Sequence, residues 1–358
     1  MTKICLITDS LGKGGAEQMT AKLSRAFQNC GYEVYIIILK DQIDYSFSGQ
    51  LINLGKNISD FKFLKQYKKV VAFKKAYKCI DADIYIDFRV RSRSLMEFVL
   101  HQYVFEISKT IFSIRSYNVF LHIPKYRYFF KSYSNCRAIV CPTKAILNLM
   151  KTHYDFKNLV HIPNFIIRNE IDPNFEKTYN TFQFVIAAGR LNNNVKQFDK
   201  LIKAYKHSDL IKSKIRLLIF GDGKDRNELE NLIVKELLQE LVFLEGFNAN
   251  LEAIFGDAYF TLLCSKYEGF PNVLLESLNS GTPVVSFDCK SGPSDLVQNG
   301  KNGILVEDQN FEALTNAMNK MVNNKEFYET CKSNANTSVE KFSSIEVIKS
   351  WENLINKS

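Results

Sequence analysis

Strand-like apolar runs alternate with amphipathic helical patterns along almost the whole of this 358-residue chain. Between the first two runs, for example, apolar side chains recur near helical spacing at Ala16, Met19, Leu23 and Phe27. The predicted strands are residues 4–8, 34–39, 84–86, 110–113, 138–141 and 159–162, then 184–188, 217–220, 242–244, 259–264 and 283–286. Regular alternation of this kind predicts an α/β protein whose sheets are mainly parallel.

The pattern stops and restarts once, which predicts two domains. Residues 169–181 are polar, contain Asp172-Pro173 and are interpreted as a linker. A chain of this length is long for one domain and natural for two. We therefore predict two doubly wound domains that face each other across a cleft, residues 1–168 and 169–343. The helical tail, residues 344–358, carries the only tryptophan and is expected to pack back on the first domain.

Composition narrows the class of protein. An apolar content of 46% and a charged content of 24% are typical of soluble proteins, and no apolar run approaches the length of a transmembrane helix. The first apolar run ends at Asp9 and is interpreted as a strand, not as a signal peptide. Eight scattered cysteines and five irregularly spaced histidines predict reduced thiols, no metal site and a cytoplasmic protein.

Charge is distributed unevenly between the two halves. Residues 1–168 carry a net charge of +14, whereas residues 169–358 carry −5, within a total of +9. Lysines interleave with aromatic and aliphatic residues over 56–78, and residues 125–131 repeat that mixture. Such segments fit an interfacial helix on anionic lipid, or an amphipathic helix packed on its own sheet with a solvated lysine face. We favour peripheral contact with the inner face of the cytoplasmic membrane, and no nucleic-acid partner, because no recognition motif accompanies the charge.

Glu268 and Glu276 are the most informative pair of residues. Glu268 lies in a Gly/Pro-containing loop, and Glu276 lies on the helix that follows, where Pro271 suits the first helical position. Free backbone N–H groups at such a helix start bind anions, and a carboxylate further in accepts hydrogen bonds from hydroxyls. Phosphate plus hydroxyls is the chemical outline of a nucleotide-sugar. Taken alone, the pair is better explained as a solvated loop charge and a helix-face charge. A second Gly/Pro helix start at 291–295 instead favours a crevice at the strand ends.

Five motifs occur in a fixed order along the chain. They are Gly14-Gly15-Ala16-Glu17, Gly189-Arg190-Leu191 with Lys196, Gly221-Asp222-Gly223, the pair Glu268 and Glu276, and Gly300 with Gly303-Ile304-Leu305-Val306. In this order they resemble the retaining nucleotide-sugar glycosyltransferases of family 4, whose GT-B fold has two Rossmann-like domains. The resemblance covers nearly the whole chain.

The resemblance implies roles for individual residues. Arg190 and Lys196 would neutralise the departing diphosphate, and Glu268 would lie near the transferred sugar; these three are the predicted catalytic residues. The donor-binding residues that it implies are Gly14, Gly15, Arg190, Lys196, Phe247, Glu268, Gly269, Phe270, Pro271, Asn272 and Glu276. Each of three assignments has an alternative. Lys196 could be a surface cation, the Gly14-Gly15 pair a plain strand-to-helix turn, and Phe247 a core aromatic.

The chain departs from the family pattern at three points. Lys196 lies six residues after Arg190, where the family has five, and Gln197 replaces a common glycine. Where many relatives place a histidine after a middle strand of the first domain, this chain has Ser113-Ile114-Arg115-Ser116. Arg115 stays protonated and cannot act as a base. It is a candidate for binding an anionic acceptor or the reacting sugar, or an ordinary surface cation.

A front-side displacement is the expected mechanism, because retaining transfer is implied and no nucleophile is evident. The leaving diphosphate would accept the proton of the attacking hydroxyl, so the protein contributes positioning and electrostatic stabilisation. No metal or other cofactor is expected. Asp81-Ala82-Asp83 imitates the Asp-x-Asp metal site of the other glycosyltransferase architecture, but its place before a predicted strand favours a turn or capping role.

The predicted function is transfer of a sugar from a nucleotide-sugar to a glycan acceptor, expected to be lipid-linked, in surface polysaccharide or lipopolysaccharide synthesis. UDP is the nucleotide that the resemblance favours, with GDP left open. Two other functions fit the same cleft: a nucleotide-sugar epimerase, and a nucleotide-sugar-binding protein without catalysis.

Overall fold

The computed structural model describes residues 1–56, 62–167, 179 and 181–357. The chain divides into two compact units, the first formed by residues 1–164 and 344–358, the second by residues 165–343. Of the predicted linker, only residues 179 and 181 belong to the part that is described, and the rest lies outside it.

The first unit contains a parallel sheet whose strand order is β3-β2-β1-β4-β5-β6-β7. Its strands are β1 (Lys3–Thr8), β2 (Glu33–Ile38), β3 (Gln50–Asn53), β4 (Ile84–Asp87), β5 (Thr110–Ser113), β6 (Ala138–Cys141) and β7 (Leu159–His161). Its helices are α1 (Gly15–Asn29), α2 (Lys62–Ile80), α3 (Ser94–Tyr103), α4 (Arg127–Phe130), α5 (Lys144–His153) and the C-terminal α13 (Ser344–Ile355). Single 3₁₀ turns occur at Ile107–Lys109, Val119–Leu121 and Lys131–Asn135.

The second unit repeats this design with the strand order β10-β9-β8-β11-β12-β13, again parallel. Its strands are β8 (Phe184–Ala188), β9 (Arg216–Phe220), β10 (Val242–Gly246), β11 (Thr261–Leu263), β12 (Val284–Phe287) and β13 (Gly303–Val306). Its helices are α6 (Phe198–Lys206), α7 (Arg226–Lys235), α8 (Glu252–Asp257), α9 (Asn272–Asn279), α10 (Pro293–Leu296), α11 (Phe311–Asn323) and α12 (Lys325–Ala335), and a 3₁₀ segment spans Thr337–Phe342.

Strand order reverses once in each sheet, between β1 and β4 in the first unit and between β8 and β11 in the second. The loops that leave the carboxyl ends of two such neighbouring strands run to opposite faces of the sheet. They leave a crevice between them, which is where open α/β sheets bind ligands. The fold therefore directs attention to the segments that follow β1, β4, β8 and β11.

The predicted α/β class, with two doubly wound parallel sheets, is confirmed. Sequence reasoning missed β3, whose Gln50–Asn53 segment is short and only partly buried, so it lacks a continuous apolar signal. The predicted strand at 259–264 is shorter in the structure, and the strand predicted at 283–286 is shifted by one residue. The first difference arises because apolar residues continue beyond the hydrogen-bonded ladder, and the second is within the usual uncertainty of strand ends.

The C-terminal helix contributes to the core of the first unit. The rings of Trp351 on α13 and Phe27 on α1 meet edge to face, with 6.2 Å between their centroids. Trp351 is 2% exposed and Phe27 is completely buried. The apolar stripe predicted for the first helix is thus the face that α1 presents to this core.

The interfacial-helix interpretation of residues 56–78 is not supported where side chains are described. Phe73 and Tyr77 on α2 are buried in the core of the first unit, against Phe105 and Tyr85. The apolar face of α2 therefore packs on its own sheet, and Lys75 and Lys78 are exposed on the outside. Residues 57–61 and the side chains of 62–67 lie outside the described part. Within the residues that are described, every helix falls short of the length or the apolarity that a bilayer crossing requires.

Candidate donor-binding site

The crevice of the second unit begins where β8 ends, at Gly189-Arg190. Gly221, which follows β9, approaches so closely that a Cβ there would lie 1.9 Å from the Gly189 carbonyl oxygen. The Gly221 N–H in turn donates to the Gly246 carbonyl at the end of β10, 2.7 Å away. The absence of a side chain at these glycines thus allows the ends of β8, β9 and β10 to lie in close contact. Arg190 is exposed beside them, and no side-chain partner for it is found among the residues that are described.

Lys196 returns from the β8–α6 loop to the end of β8 and pairs with Glu268. Its Nζ lies 2.6 Å from Glu268 Oε1, and the two side chains are 19% and 11% exposed. A Cβ on Gly189 would lie 2.9 Å from the Lys196 Cε, so the lysine stem covers that glycine. The extra residue between Arg190 and Lys196 is absorbed in a turn, in which the Asn192 carbonyl accepts from both Val195 and Lys196 N–H groups.

The loop that carries Glu268 is supported from behind by the segment that follows β12. The Glu268 N–H donates to the Lys290 carbonyl at 3.0 Å, and the Ser291 hydroxyl donates to the Gly269 carbonyl at 3.1 Å. Gly292 has φ +107°, and a Cβ there would lie 2.3 Å from Pro271 Cδ. A side chain at position 292 would push the loop out of place, which is why glycine is required there.

Helix α9 begins at Asn272, so Pro271 occupies the N-cap and not the predicted first helical position. The difference arises because Pro271 has ψ 77°, outside the helical range, while the Leu274 N–H already donates to its carbonyl. Glu276 lies in the second turn of α9 and is 5% exposed, which excludes the solvated helix-face interpretation. Phe270 packs into the core of the unit, with its ring 6.0 Å from that of Phe342.

The second unit therefore brings the predicted site residues to one edge of its sheet. Arg190 and Lys196 follow β8, and Glu268, the 269–272 loop and Glu276 follow β11, its neighbour in the sheet. Phe247 lies two strands away, after β10, and is partly buried, outside the buried core of the unit. Two cationic side chains, a helix start and two carboxylates thus lie near the switch point, where open α/β sheets bind ligands.

The other predicted residues lie at strand ends of the first unit. Gly14 is the N-cap of α1 and Gly15 its first residue, and Glu17 folds back so that a Cβ on Gly14 would lie 2.2 Å from its Oε2. Arg115 follows β5, where its Nη1 donates to Asn164 Oδ1 at 2.6 Å and its guanidinium lies 4.5 Å from the Phe88 ring centroid. Burial lowers the pKa of Arg115 to about 9, and Glu17 opposes that shift. Arg115 is thus a partly buried, bonded group and not an ordinary surface cation.

A buried charged network that sequence reasoning missed lies beside Arg115. Arg89, after β4, forms ion pairs with Asp87 at 2.8 Å and with Glu97 at 3.0 Å, and all three are almost completely buried. Burial would raise the pKa of Asp87, but Arg89 and Arg91 hold it below its usual value. Arg91 is completely buried and donates to the carbonyls of residues 87, 89, 113 and 122. The signal was available in Asp87-Phe88-Arg89-Val90-Arg91, a dense run of charges directly after a buried strand.

His122 connects this network to Arg115. Its Nε2 accepts a hydrogen bond from the Arg115 N–H at 3.2 Å, and its Nδ1 lies 3.3 Å from the Arg89 carbonyl. An Nε2 that accepts must be unprotonated, so Nδ1 carries the proton and donates. Burial, reinforced by Arg91, lowers the pKa of His122 to about 3. The histidine is therefore a neutral structural support.

Asp81 and Asp83 have backbone roles. Asp81 adopts a left-handed conformation with φ +44° after α2, and Asp83 Oδ2 accepts from the Lys3 N–H at 2.8 Å. The predicted turn role of this motif is confirmed.

Comparison with known proteins shows which enzymes the chain is similar to. The profile of the group 1 glycosyl transferases matches residues 168–338. The matched segment is slightly less than half of the chain and lies within the second unit, which is thus similar to the group 1 glycosyl transferases. The chain is 27% identical over 371 residues to the N-acetylgalactosamine-N,N'-diacetylbacillosaminyl-diphospho-undecaprenol 4-alpha-N-acetylgalactosaminyltransferase of Campylobacter jejuni, and the alignment covers 97% of each chain.

Two further comparisons are consistent with this similarity. The chain is 27% identical over 239 residues to the poly(ribitol-phosphate) alpha-N-acetylglucosaminyltransferase of Staphylococcus aureus, an alignment that covers 64% of this chain and 46% of that enzyme. It therefore spans less than half of the staphylococcal protein. The crystal structure of HepE from Anabaena in complex with UDP-glucose is similar with a TM-score of 0.81, covers 100% of both chains and is 16% identical. The chain has the GT-B fold.

Proposed function

We propose that this chain is a group 1 glycosyl transferase that moves a sugar from a UDP-sugar to a lipid-linked glycan acceptor, with retention of anomeric configuration and without a metal. The observation that carries the proposal is the joint position of Arg190, Lys196, Glu268 and Glu276 at the switch point of the second unit. The chain would serve surface polysaccharide or lipopolysaccharide synthesis.

Each group in the crevice has a task in such a transfer. Arg190 is exposed without a partner among the described residues, so its planar fork is free to bind a phosphate through two hydrogen bonds. Lys196 is held by Glu268, which keeps the ammonium at the strand end until a diphosphate competes for it. Glu276 is positioned for the ribose hydroxyls, and the α9 start for the distal phosphate and the sugar.

Leaving-group stabilisation is the chemical step that this arrangement serves. As the sugar–phosphate bond breaks, negative charge grows on the diphosphate, and the two cationic side chains stabilise it. The departing phosphate oxygen accepts the proton of the attacking acceptor hydroxyl on the same face of the sugar, and the anomeric configuration is retained. The two cationic side chains supply the charge compensation that a divalent metal supplies in other phosphate-transfer sites.

The acceptor side of the proposal rests on the first unit. Arg115 has a buried Nε without a partner among the described residues and remains largely protonated at neutral pH, which suits an acidic acceptor group. The α3–α4 region exposes Tyr126 and Tyr128, at 69% and 71%, next to exposed Lys125. Aromatic rings beside a lysine suit the headgroup layer of an anionic membrane, where a lipid-linked acceptor would lie. The proposed membrane contact is therefore this region and not the apolar face of α2.

Release of the nucleotide tests the proposed reaction. The purified chain is incubated with a panel of UDP- and GDP-sugars, with and without an undecaprenyl-diphosphate-linked glycan, in the presence and absence of EDTA. We expect UDP release that depends on the acceptor, persists in EDTA and gives a product with the donor's anomeric configuration by NMR. Sugar conversion without acceptor would instead identify an epimerase, and tight binding without turnover a nucleotide-sugar-binding protein. Loss of activity in EDTA would contradict metal independence.

A further inference from the structure

Gln197 has an unusual backbone for a buried residue. Its φ of 55° and ψ of 37° lie in the left-handed region, and its side chain is completely buried. Residues other than glycine adopt this conformation at a cost in free energy, and do so where the surrounding structure compensates. Gln197 is also the N-cap of α6, yet its side chain does not cap that helix.

The side chain of Gln197 instead bridges two loops of the crevice. Its Nε2 donates to the Cys264 carbonyl, directly after β11, at 2.8 Å. The other end of the amide, Oε1, is buried without a partner among the described residues. Only the NH₂ group can donate to a carbonyl, so this bond fixes the orientation of the amide. The amide therefore joins the two loops through its NH₂ group alone. A buried polar atom without a partner is rare, so the Oε1 atom calls for an explanation, and the bridge supplies one.

Two more hydrogen bonds join the same segments. The Cys264 thiol donates to the Lys196 carbonyl at 3.2 Å, and the Lys266 N–H donates to the Val195 carbonyl at 2.8 Å. The same thiol also lies 3.6 Å from the Gln197 carbonyl oxygen, so residues 195–197 and 264–266 are joined by several contacts beside the Lys196–Glu268 ion pair. The bond from the Gln197 side-chain amide can be removed by substitution at position 197 without a change in a backbone group.

We propose that Gln197 is a positioning residue for Lys196, and that its amide bridge holds the lysine backbone where the ammonium reaches Glu268 and the leaving diphosphate. This inference rests on the proposed function. Lysine carries its charge on a flexible four-carbon stem, so the position of its backbone decides where the charge can be placed. A shift of the β8–α6 loop away from β11 would move the ammonium relative to the diphosphate, and displacements of about 1 Å cost up to about a hundredfold in rate.

The chain contains a matched control for the decisive substitution. Gln309 is also a glutamine with a left-handed backbone, at φ 64°, but it is exposed in the segment after β13. Replacing either glutamine with glycine relieves the same backbone strain. Only Gln197→Gly removes the bridge to Cys264. We therefore expect Gln197→Gly to lower kcat by about tenfold to a hundredfold with a smaller change in the donor KM, while Gln309→Gly leaves both unchanged.

A second substitution tests whether the effect passes through Lys196. In the Lys196→Ala background the ammonium is absent, so Gln197→Gly should cause little further loss of kcat. The non-additive result is expected of residues that act as a unit. Additive losses in kcat, or a kcat for Gln197→Gly within about twofold of the unsubstituted chain, would overturn the proposal. The proposal would also be overturned if the melting temperature of Gln197→Gly fell so far that unfolding explained the lost activity.

The position of the lysine can also be followed without turnover. With ¹³Cε-labelled lysine, the Lys196 signal is assigned by its absence in Lys196→Ala. It should move in Gln197→Gly and stay in place in Gln309→Gly. An unmoved signal would reject the positioning role whether or not the chain transfers sugar. Absence of UDP release in every variant, with the signal shifted, would instead reject the proposed function and leave the bridge established.

Discussion

Replacement of His122 by glutamine should weaken the dependence of stability on pH in the first unit. His122 is buried and neutral, since its Nε2 accepts from the Arg115 N–H and its pKa is lowered from 6.5 to about 3. A histidine whose pKa is lowered by folding stabilises the folded state above the unfolded pKa. That contribution is lost as the pH falls from 6.5 towards 3, because in this range the histidine binds a proton in the unfolded chain but not in the folded chain.

The magnitude follows from the two pKa values. Between pH 7 and pH 5, a shift from 6.5 to about 3 removes about 2 kcal/mol of stability for each such histidine. His101 is a second case, because burial and Arg91 lower its pKa to about 3 as well. The first unit should therefore lose about 4 kcal/mol over this range from the two histidines, and His122→Gln should halve that loss.

The only tryptophan makes the assay specific to the first unit. Trp351 lies on α13, is 2% exposed and contacts Phe27. Urea unfolding followed by its fluorescence at pH 7 and at pH 5 reports the stability of this unit. The exposed His153 provides the control, and His153→Gln should leave the pH dependence as it is in the unsubstituted chain. Equal losses of stability between pH 7 and pH 5 in His122→Gln and in the unsubstituted chain would refute the assignment of a neutral, backbone-bonded histidine.

Three further predictions concern the crevice and the membrane contact. Gly221→Ala should destabilise the second unit by on the order of 3 kcal/mol in calorimetry, because its backbone has φ +136° and a Cβ there would overlap a carbonyl oxygen. Gly256→Ala should not destabilise the unit, because a Cβ there meets nothing closer than 3.9 Å. Arg190→Ala should raise the barrier to transfer by about 2–4 kcal/mol, seen in kcat, and turnover within about twofold would contradict its role. The double variant Tyr126→Ser with Tyr128→Ser should reduce flotation with anionic vesicles while neutral vesicles recover little of either protein; unchanged recovery would remove the proposed contact.

Much of the crevice could be predicted from local sequence, because strand ends determine where its residues lie. Arg190 directly follows an apolar run, and Glu268 and Glu276 follow another. In a parallel sheet all such carboxyl ends lie on one edge, so their convergence requires only that β8 and β11 be neighbours. The Gly/Pro punctuation at 269–272 similarly indicated a helix start to within one residue.

Contacts between segments distant in sequence could not be predicted. In the sequence, Gln197 is only a departure from a common glycine, yet its side-chain amide bonds to the Cys264 carbonyl, 67 positions further along the chain. His122 carries no motif, and its role appears only when the Val119–Leu121 turn places it against Arg115. The alternating lysines and aromatics of α2 were compatible with a membrane helix or a core helix. Burial of Phe73 and Tyr77 on the sheet decides between them for the described part.

By itself, the order of apolar runs, glycines and charges determined the α/β class. It also determined that Arg190, Glu268 and Glu276 lie at the carboxyl edge of a sheet, since this depends only on local periodicity and on the rules of parallel sheets. Only the tertiary structure decided which polar side chains are removed from solvent and bonded: Gln197 and His122 are buried, and Arg115 is partly buried. The physical reason is that the free energy of a buried polar group depends on partners supplied by other elements. No stretch of sequence around the group specifies those partners.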